Sequence, residues 1–430
     1  MGINYFIILL SLSLGLWILY RPWIGVISIF VYQIFLSFGS EAVTTIEFGY
    51  MFLFMVTLLG WFVKNFILRR FHLVKSLIIP SVIIFVSYCV VSVILVVTKN
   101  IPFLYWFRQW QFFISLLLLL PIVTEFKSKI RLNILISTYL ISATIISIFG
   151  IYNAFIKGTI FEHVSTGVFS TSYIWATILI IGLFGYLKTI KFRLALLVLL
   201  GINILRLLID VSRLPVLAVI LGSSIILLLT FIKKTPIKIR MRYVRISILT
   251  LIILSSMSYM GVSIISKAAT SLSVRFSPYL LKGGFLNRYF QIKTITSESL
   301  KSPLFGRGFG YSFDKGFLIP RRFDSNKSYL IIKVHSLYLY LFYHAGLIGL
   351  GLYLLFLVSL FKEARFVLNQ EIKGYEKGLI LGLFADCIAI AVFAAFSVKG
   401  TRIEVQSFFA LAGGIFILFK ERISKRELLN

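Results

Sequence analysis

The run KVHSLYLYLFYHAGLIGLGLYLLFLVSLF, residues 333–361, carries no Asp, Glu, Lys or Arg after its first residue. A helix needs about 20 apolar residues to cross ~30 Å of hydrocarbon. This stretch exceeds that length, so it reads as a membrane span and not as the core helix of a soluble domain. His335 stands at its mouth, where a polar, basic segment ends. Gly346 lies eleven positions further in.

The composition agrees. Of 430 residues, 59% are hydrophobic and 14% charged, with a mean hydropathy of +0.97. That leaves too little polar surface to face water. The net charge of +29 comes from 44 basic and 15 acidic residues. Most of the basic ones sit in short clusters between apolar runs, the pattern that sets membrane orientation and not a nucleic-acid surface. Cys89 and Cys387 lie in separate apolar runs, which argues against a disulfide framework or a metal site. The first apolar run has no basic segment before it and no small-residue cleavage site, and reads as a retained helix.

Working outward, apolar segments fall at 3–20, 22–39, 48–68, 76–98, 108–124, 132–156, 167–187, 193–210, 214–232, 246–266, 334–361, 378–398 and 403–420. The expected fold is an all-α polytopic membrane protein of about 12–13 transmembrane helices. Residues 1–266 hold the first ten spans, 267–333 form one large loop, and 334–430 hold the last spans and a tail. Arg69-Arg70, residues 127–131, 188–193, 233–245 and 362–377, and the tail KERISKR are expected in the cytoplasm. Alternation then places the loop outside. With 13 spans the N-terminus is also outside.

That loop carries twelve basic residues against Glu298, Asp314 and Asp324. An outward-facing basic loop suits an anionic ligand, such as a lipid phosphate or diphosphate, or the anionic headgroups themselves. Three features converge on its side of the membrane. Arg213, in the turn DVSRLPVL (210–217), sits where a guanidinium can grip a phosphate through two parallel hydrogen bonds. Pairing with Asp210 or snorkelling are the plainer roles. GFLNRYFQ (284–291) reads as a short amphipathic helix carrying Arg288, with Tyr289 and Phe290 able to rest on the lipid interface. PLFGRGFG (303–310), with Arg307 and Gly308, is a glycine-rich turn whose amides could approach a ligand, or a structural loop; no Gly-Lys-Ser/Thr makes it a Walker loop. His335 can take a proton near neutral pH, as a general base must, or serve as an interfacial hydrogen-bonding residue. Gly346 and Gly349 would let a neighbouring helix or a lipid tail approach. Asp386 is the clearest intramembrane carboxylate, functional or paired inside the bundle. Glu41 and Glu47 make a poor divalent-cation site, which favours chemistry without a metal.

The order of an Arg-x3-Leu turn (Arg213, Leu217), a large outer loop with Asn-Arg-Tyr and PLFGRGFG, and a His-x10-Gly helix mouth (His335, Gly346) resembles the O-antigen ligase and O-antigen polymerase superfamily of polytopic membrane glycosyltransferases. The resemblance implies a GT-C-like helical bundle in the bacterial cytoplasmic membrane. It implies an undecaprenyl-diphosphate-linked glycan donor used at the periplasmic or outer face, with no cofactor and no metal. The acceptor would be a saccharide, such as lipid A core in a ligase or a second lipid-linked repeat in a polymerase; membrane lipids, and no nucleic acid, are the other partners. By motif match, Arg213 and Arg288 would hold the diphosphate leaving group and His335 would deprotonate the acceptor hydroxyl. Arg307, Tyr289, Gly308 and Gly346 would line the donor site. The family often has Asn after its histidine, whereas this chain has Ser336, which bears on how the acceptor is oriented. A lipid-linked oligosaccharide transporter and a non-enzymatic scaffold are the readings from other classes.

Overall fold

The computed structural model describes residues 15–33, 45–67, 75–101, 103–156, 171–209, 213–233, 235–248, 292–311, 336–372, 374–397 and 402–427. Among them every regular element is helical. The principal helices are α1 (Pro22–Tyr32), α2 (Thr45–Phe62, prolonged by a π turn Val63–Ile67), α3 (Ile78–Val91), α4 (Val93–Thr98), α5 (Phe103–Ile114), α6 (Leu119–Glu125), α7 (Lys129–Ile156), α8 (Ser172–Phe184), α9 (Ile190–Ile209), α10 (Arg213–Ile232), α11 (Leu337–Asn369), α12 (Tyr375–Phe396) and α13 (Ile403–Glu427).

Eight described helical stretches are long and apolar enough to cross a membrane: Glu47–Ile67, Ile78–Leu95, Lys129–Ile156, Ile190–Ile209, Pro215–Ile232, Leu337–Asn369, Tyr375–Phe396 and Ile403–Lys425. The chain is an all-α multi-pass membrane protein. Each stretch overlaps a span expected from hydropathy. The expected spans at 22–39, 108–124 and 167–187 correspond to shorter apolar helices, Pro22–Tyr32, Gln109–Glu125 and Ser172–Phe184. Gln109–Glu125 is interrupted by a 3-10 turn, Ser115–Leu118. Most of 3–20 and 246–266, and Arg69-Arg70, lie outside the described residues.

Packing sets the bundle's centre at α13. Of its apolar stretch 94% is buried, against 33% for α2. Its sequence explains why: Gly413 and Gly414 leave room for α6, so that a Cβ at Gly414 would come within 2.5 Å of Ile122 Cγ2. Lipid tails are as apolar as leucine, so membrane helices associate where small residues let backbones close up. The same device joins α8 to α12, where a Cβ on Gly182 would lie 2.5 Å from Gly382 Cα. Every residue from Ser172 to Leu183 of α8 is buried.

Charge distinguishes the two ends of the bundle. At one end Lys64 pairs with Glu125 at 2.6 Å, Lys420 with Glu363 at 2.8 Å, Lys127 with Glu421 at 3.5 Å and Arg422 with Glu376 at 3.8 Å. Lys233 donates to Leu368 O at 2.9 Å, and Arg242 donates to Gly185 O at 3.2 Å. The described clusters expected in the cytoplasm thus meet at this basic end. At the far end the start of α8 meets the start of α13, through Thr171 N donating to Glu404 Oε1 (3.1 Å). Gln33 Nε2 at the end of α1 donates to Ser407 Oγ (2.8 Å). Tyr338 OH donates to Ala391 O (2.8 Å), bringing the start of α11 to the last turns of α12.

Candidate functional site

Two of the sequence-identified groups come together at a break in α11. As an unbroken rod its 33 residues would extend about 50 Å, well past a bilayer core. The helix instead breaks at Gly346, whose φ 66°, ψ −168° is a conformation other residues rarely adopt. A break frees backbone groups that a membrane interior cannot hydrate, so protein must satisfy them. Here the glycine-rich turn does so. The amides of Arg307 and Gly308 donate to the carbonyls of Tyr343 (2.8 Å) and His344 (3.0 Å). The amides of Leu347 and Ile348 donate to Pro303 O (2.8 Å) and Leu304 O (3.2 Å). Tyr88 OH closes the set on Ala345 O at 2.7 Å.

Gly306 and Gly346 lie back to back in this junction. A Cβ on Gly306 would approach His344 C at 2.5 Å and Gly346 N at 2.6 Å. The near neighbour of Gly346 is therefore the backbone of this chain's own loop. Likewise the amides of Arg307 and Gly308, which the sequence offered as ligand donors, are engaged by α11 carbonyls. Gly310 N donates to Gln109 Oε1 at 2.6 Å, and Tyr340 OH donates to Gln109 O at 2.6 Å, so α5 clamps the turn from the other side.

His344 is enclosed at the junction. Its Nδ1 lies 3.0 Å from Gly308 O; a carbonyl only accepts, so Nδ1 carries the hydrogen. Nε2 is buried without a hydrogen-bond partner among the described residues. Phe309 stacks on the imidazole with ring centroids 5.8 Å apart.

The Arg307 side chain is engaged by Glu298. Its Nη2 pairs with Glu298 at 2.8 Å, and Lys301 shares the same carboxylate. Hydrogen bonding from Lys301, then the Lys301 charge, then the hydrogen bond and charge of Arg307, hold the Glu298 carboxyl below its usual range despite partial burial. A depressed folded-state pKa contributes stability above the unfolded-state value that is lost as pH falls through the folded one. Acidification below about pH 4 is therefore expected to loosen the 298–308 segment. Protection of the Arg307 and Gly308 amides against hydrogen exchange, referenced to the intrinsic rate at each pH, should fall on acidification in the native chain, and the fall should be smaller in Glu298→Gln.

The remaining candidates divide clearly. Arg213 is the first residue of α10, and the other end of that helix reaches the basic end through Lys233; Arg213 therefore opens the helix at the far end. Ser336 caps α11, its Oγ accepting from Leu339 N at 3.4 Å, so His335 is the residue preceding that cap. His335, Arg288 and Tyr289 lie outside the described residues, as do Asp210 and Glu41. Asp386 is wholly buried in α12, and neither oxygen has a hydrogen-bond partner among the described residues. Glu47 is buried in the first turn of α2. No three His, Cys, Asp or Glu side chains among the described residues converge as metal ligands do.

Arg206 was missed by the sequence reading. It is 4% exposed near the end of α9. Gly150 of α7 makes room for it, since a Cβ there would meet Arg206 Cζ at 2.6 Å. Its Cζ lies 5.9 Å from the centre of the Tyr173 ring. The available signal was an arginine inside an otherwise apolar span. Gln109, in FRQWQFF (107–113), was likewise a polar residue among aromatic ones.

No family profile matches the chain, and no curated protein matches it.

Proposed function

We propose that this protein is an O-antigen ligase-like glycosyltransferase. It moves a glycan from undecaprenyl diphosphate to an acceptor sugar, such as that of lipid A core, at the outer face of the bacterial cytoplasmic membrane. The observation that carries this reading is the position of Arg213 at the start of α10, on the end of the bundle opposite the clustered lysines and arginines. A cation in the first turn of a helix opposes the macrodipole, so helix stability does not account for an arginine there, whereas an anionic ligand does. On the positive-inside rule the basic end is cytoplasmic and Arg213 faces outward.

The chemistry follows from charge. Cleaving a sugar–diphosphate bond builds negative charge on the departing oxygen, which guanidiniums stabilise more in the transition state than in the ground state. Arg213 and Arg288 take that role. His335, next to the Ser336 cap, removes the proton from the attacking hydroxyl. Attack opposite the leaving group inverts the anomeric carbon, and the step needs no metal.

The direct test is reconstitution in vesicles with an undecaprenyl-diphosphate glycan and lipid A core, followed by mass spectrometry. Glycan on lipid A core, unaffected by chelator, is expected. Longer polyprenyl-linked chains would make the enzyme a repeat-unit polymerase, and unreacted donor with either acceptor overturns the transferase reading.

A further inference from the structure

At the far side of the glycine-rich turn, α4 brings a second cation beside Arg307. Lys99 Nζ donates to Arg307 O at 3.0 Å. The two positive groups flank one aromatic ring: Lys99 Nζ is 5.9 Å and Arg307 Cζ 5.6 Å from the centre of Tyr311. Gly308 permits this approach, since a Cβ there would press on Leu95 Cβ at 3.3 Å.

Among the described residues the local charge does not balance. Lys99, Lys301 and Arg307 contribute three positive charges and Glu298 one negative, a surplus of two. Among the described residues no carboxylate lies within ion-pair distance of Lys99. Hydrogen-bond capacity is also in excess. Lys99 spends one donor on the Arg307 carbonyl, and the Arg307 guanidinium bonds only Glu298 among the described residues, its Nε being without a partner. Burial, and then the Arg307 charge, hold the Lys99 ammonium below the ordinary lysine value. Two cations forced together with unspent donors are the complement of a tetrahedral oxyanion.

We propose that Lys99 and Arg307, seated against Tyr311, bind a phosphate ester. Two sources carry that chemistry, the diphosphate of a polyprenyl-linked donor and the headgroup of an anionic phospholipid. The donor diphosphate as occupant rests on the transferase reading above; the site itself does not.

The experiment measures binding without turnover. Inorganic diphosphate is titrated calorimetrically into the full-length protein in phosphatidylcholine nanodiscs. Lys99→Gln keeps an N–H for the Arg307 carbonyl but removes the charge. It is expected to weaken diphosphate binding about ten-fold, the scale of one charge-assisted contact, with an unchanged apparent Tm, while Lys99→Arg retains most of the affinity. Native affinity in Lys99→Gln, or no diphosphate binding by the native chain, overturns the proposal. So does a loss in Lys99→Gln that Lys99→Arg fails to restore, which would mark a packing defect. Repeating the titration in phosphatidylglycerol nanodiscs identifies the source. Native affinity that falls there to the Lys99→Gln level indicates a headgroup occupying the site; the same affinity in both lipids indicates the donor diphosphate. Because no transfer is read, failure of the glycosyltransferase assay and failure of this site are separate results.

Discussion

Replacing Arg213 by alanine is expected to lower kcat/KM for glycan transfer by about two orders of magnitude or more, the loss typical of removing one charge-stabilising donor. The fold should survive. Arg213 is the first helical residue of α10, where the helix dipole disfavours a cation by roughly 0.3–1 kcal/mol; alanine there is neutral or slightly stabilising. An unchanged apparent melting temperature alongside lost transfer therefore separates a ligand role from a structural one. Lysine should restore activity only in part, since a point charge lacks the two-pronged geometry of a guanidinium. Transfer at the native rate in Arg213→Ala would remove the diphosphate assignment and with it the main support for the enzymatic reading.

The largest effect on stability is expected from Gly346→Ala. A Cβ at this position would overlap the Leu304 carbonyl, and the backbone there has φ 66°. Strain of about 1–3 kcal/mol combines with displacement of a turn held by four backbone hydrogen bonds, each worth about 1 kcal/mol net. With about half of those bonds lost, a total near 3–5 kcal/mol follows. Gly351 supplies the control: it lies in the same helix with nothing within 4 Å of a built Cβ. Gly351→Ala should be neutral or stabilise by up to about 1 kcal/mol. Thermal unfolding of both variants in one detergent provides the comparison. Equal midpoints would mean that the junction contributes little to the folded state.

Much of the architecture was legible because hydrophobic length is a strong signal. Residues 48–68 and 378–398 correspond closely to Glu47–Ile67 and Tyr375–Phe396. The break in α11 was less legible, because Gly346 fits two roles, close approach of a neighbour or interruption of the helix. The excess length of the span was the clue that favours interruption. The centrality of α13 was also written in its residues: Glu404, Gln406, Ser407, Gly413 and Gly414 are polar or small, and a span so composed is poorly suited to facing lipid on all sides. The clustering of Lys99 with Arg307 was not legible, since the two are separated by 207 intervening positions and nothing local in either segment announces the other. Arg288 and His335 stand as sequence-level assignments.

The enclosure of α13 has a consequence for biogenesis. Chains are synthesised from the N-terminus, so the helices that surround α13 enter the bilayer before the segment that fills their midst. Until then Gln33 lacks Ser407, the Thr171 amide lacks Glu404, and Glu363 lacks Lys420. Those three polar groups thus gain their α13 partners only when the last described helix is delivered.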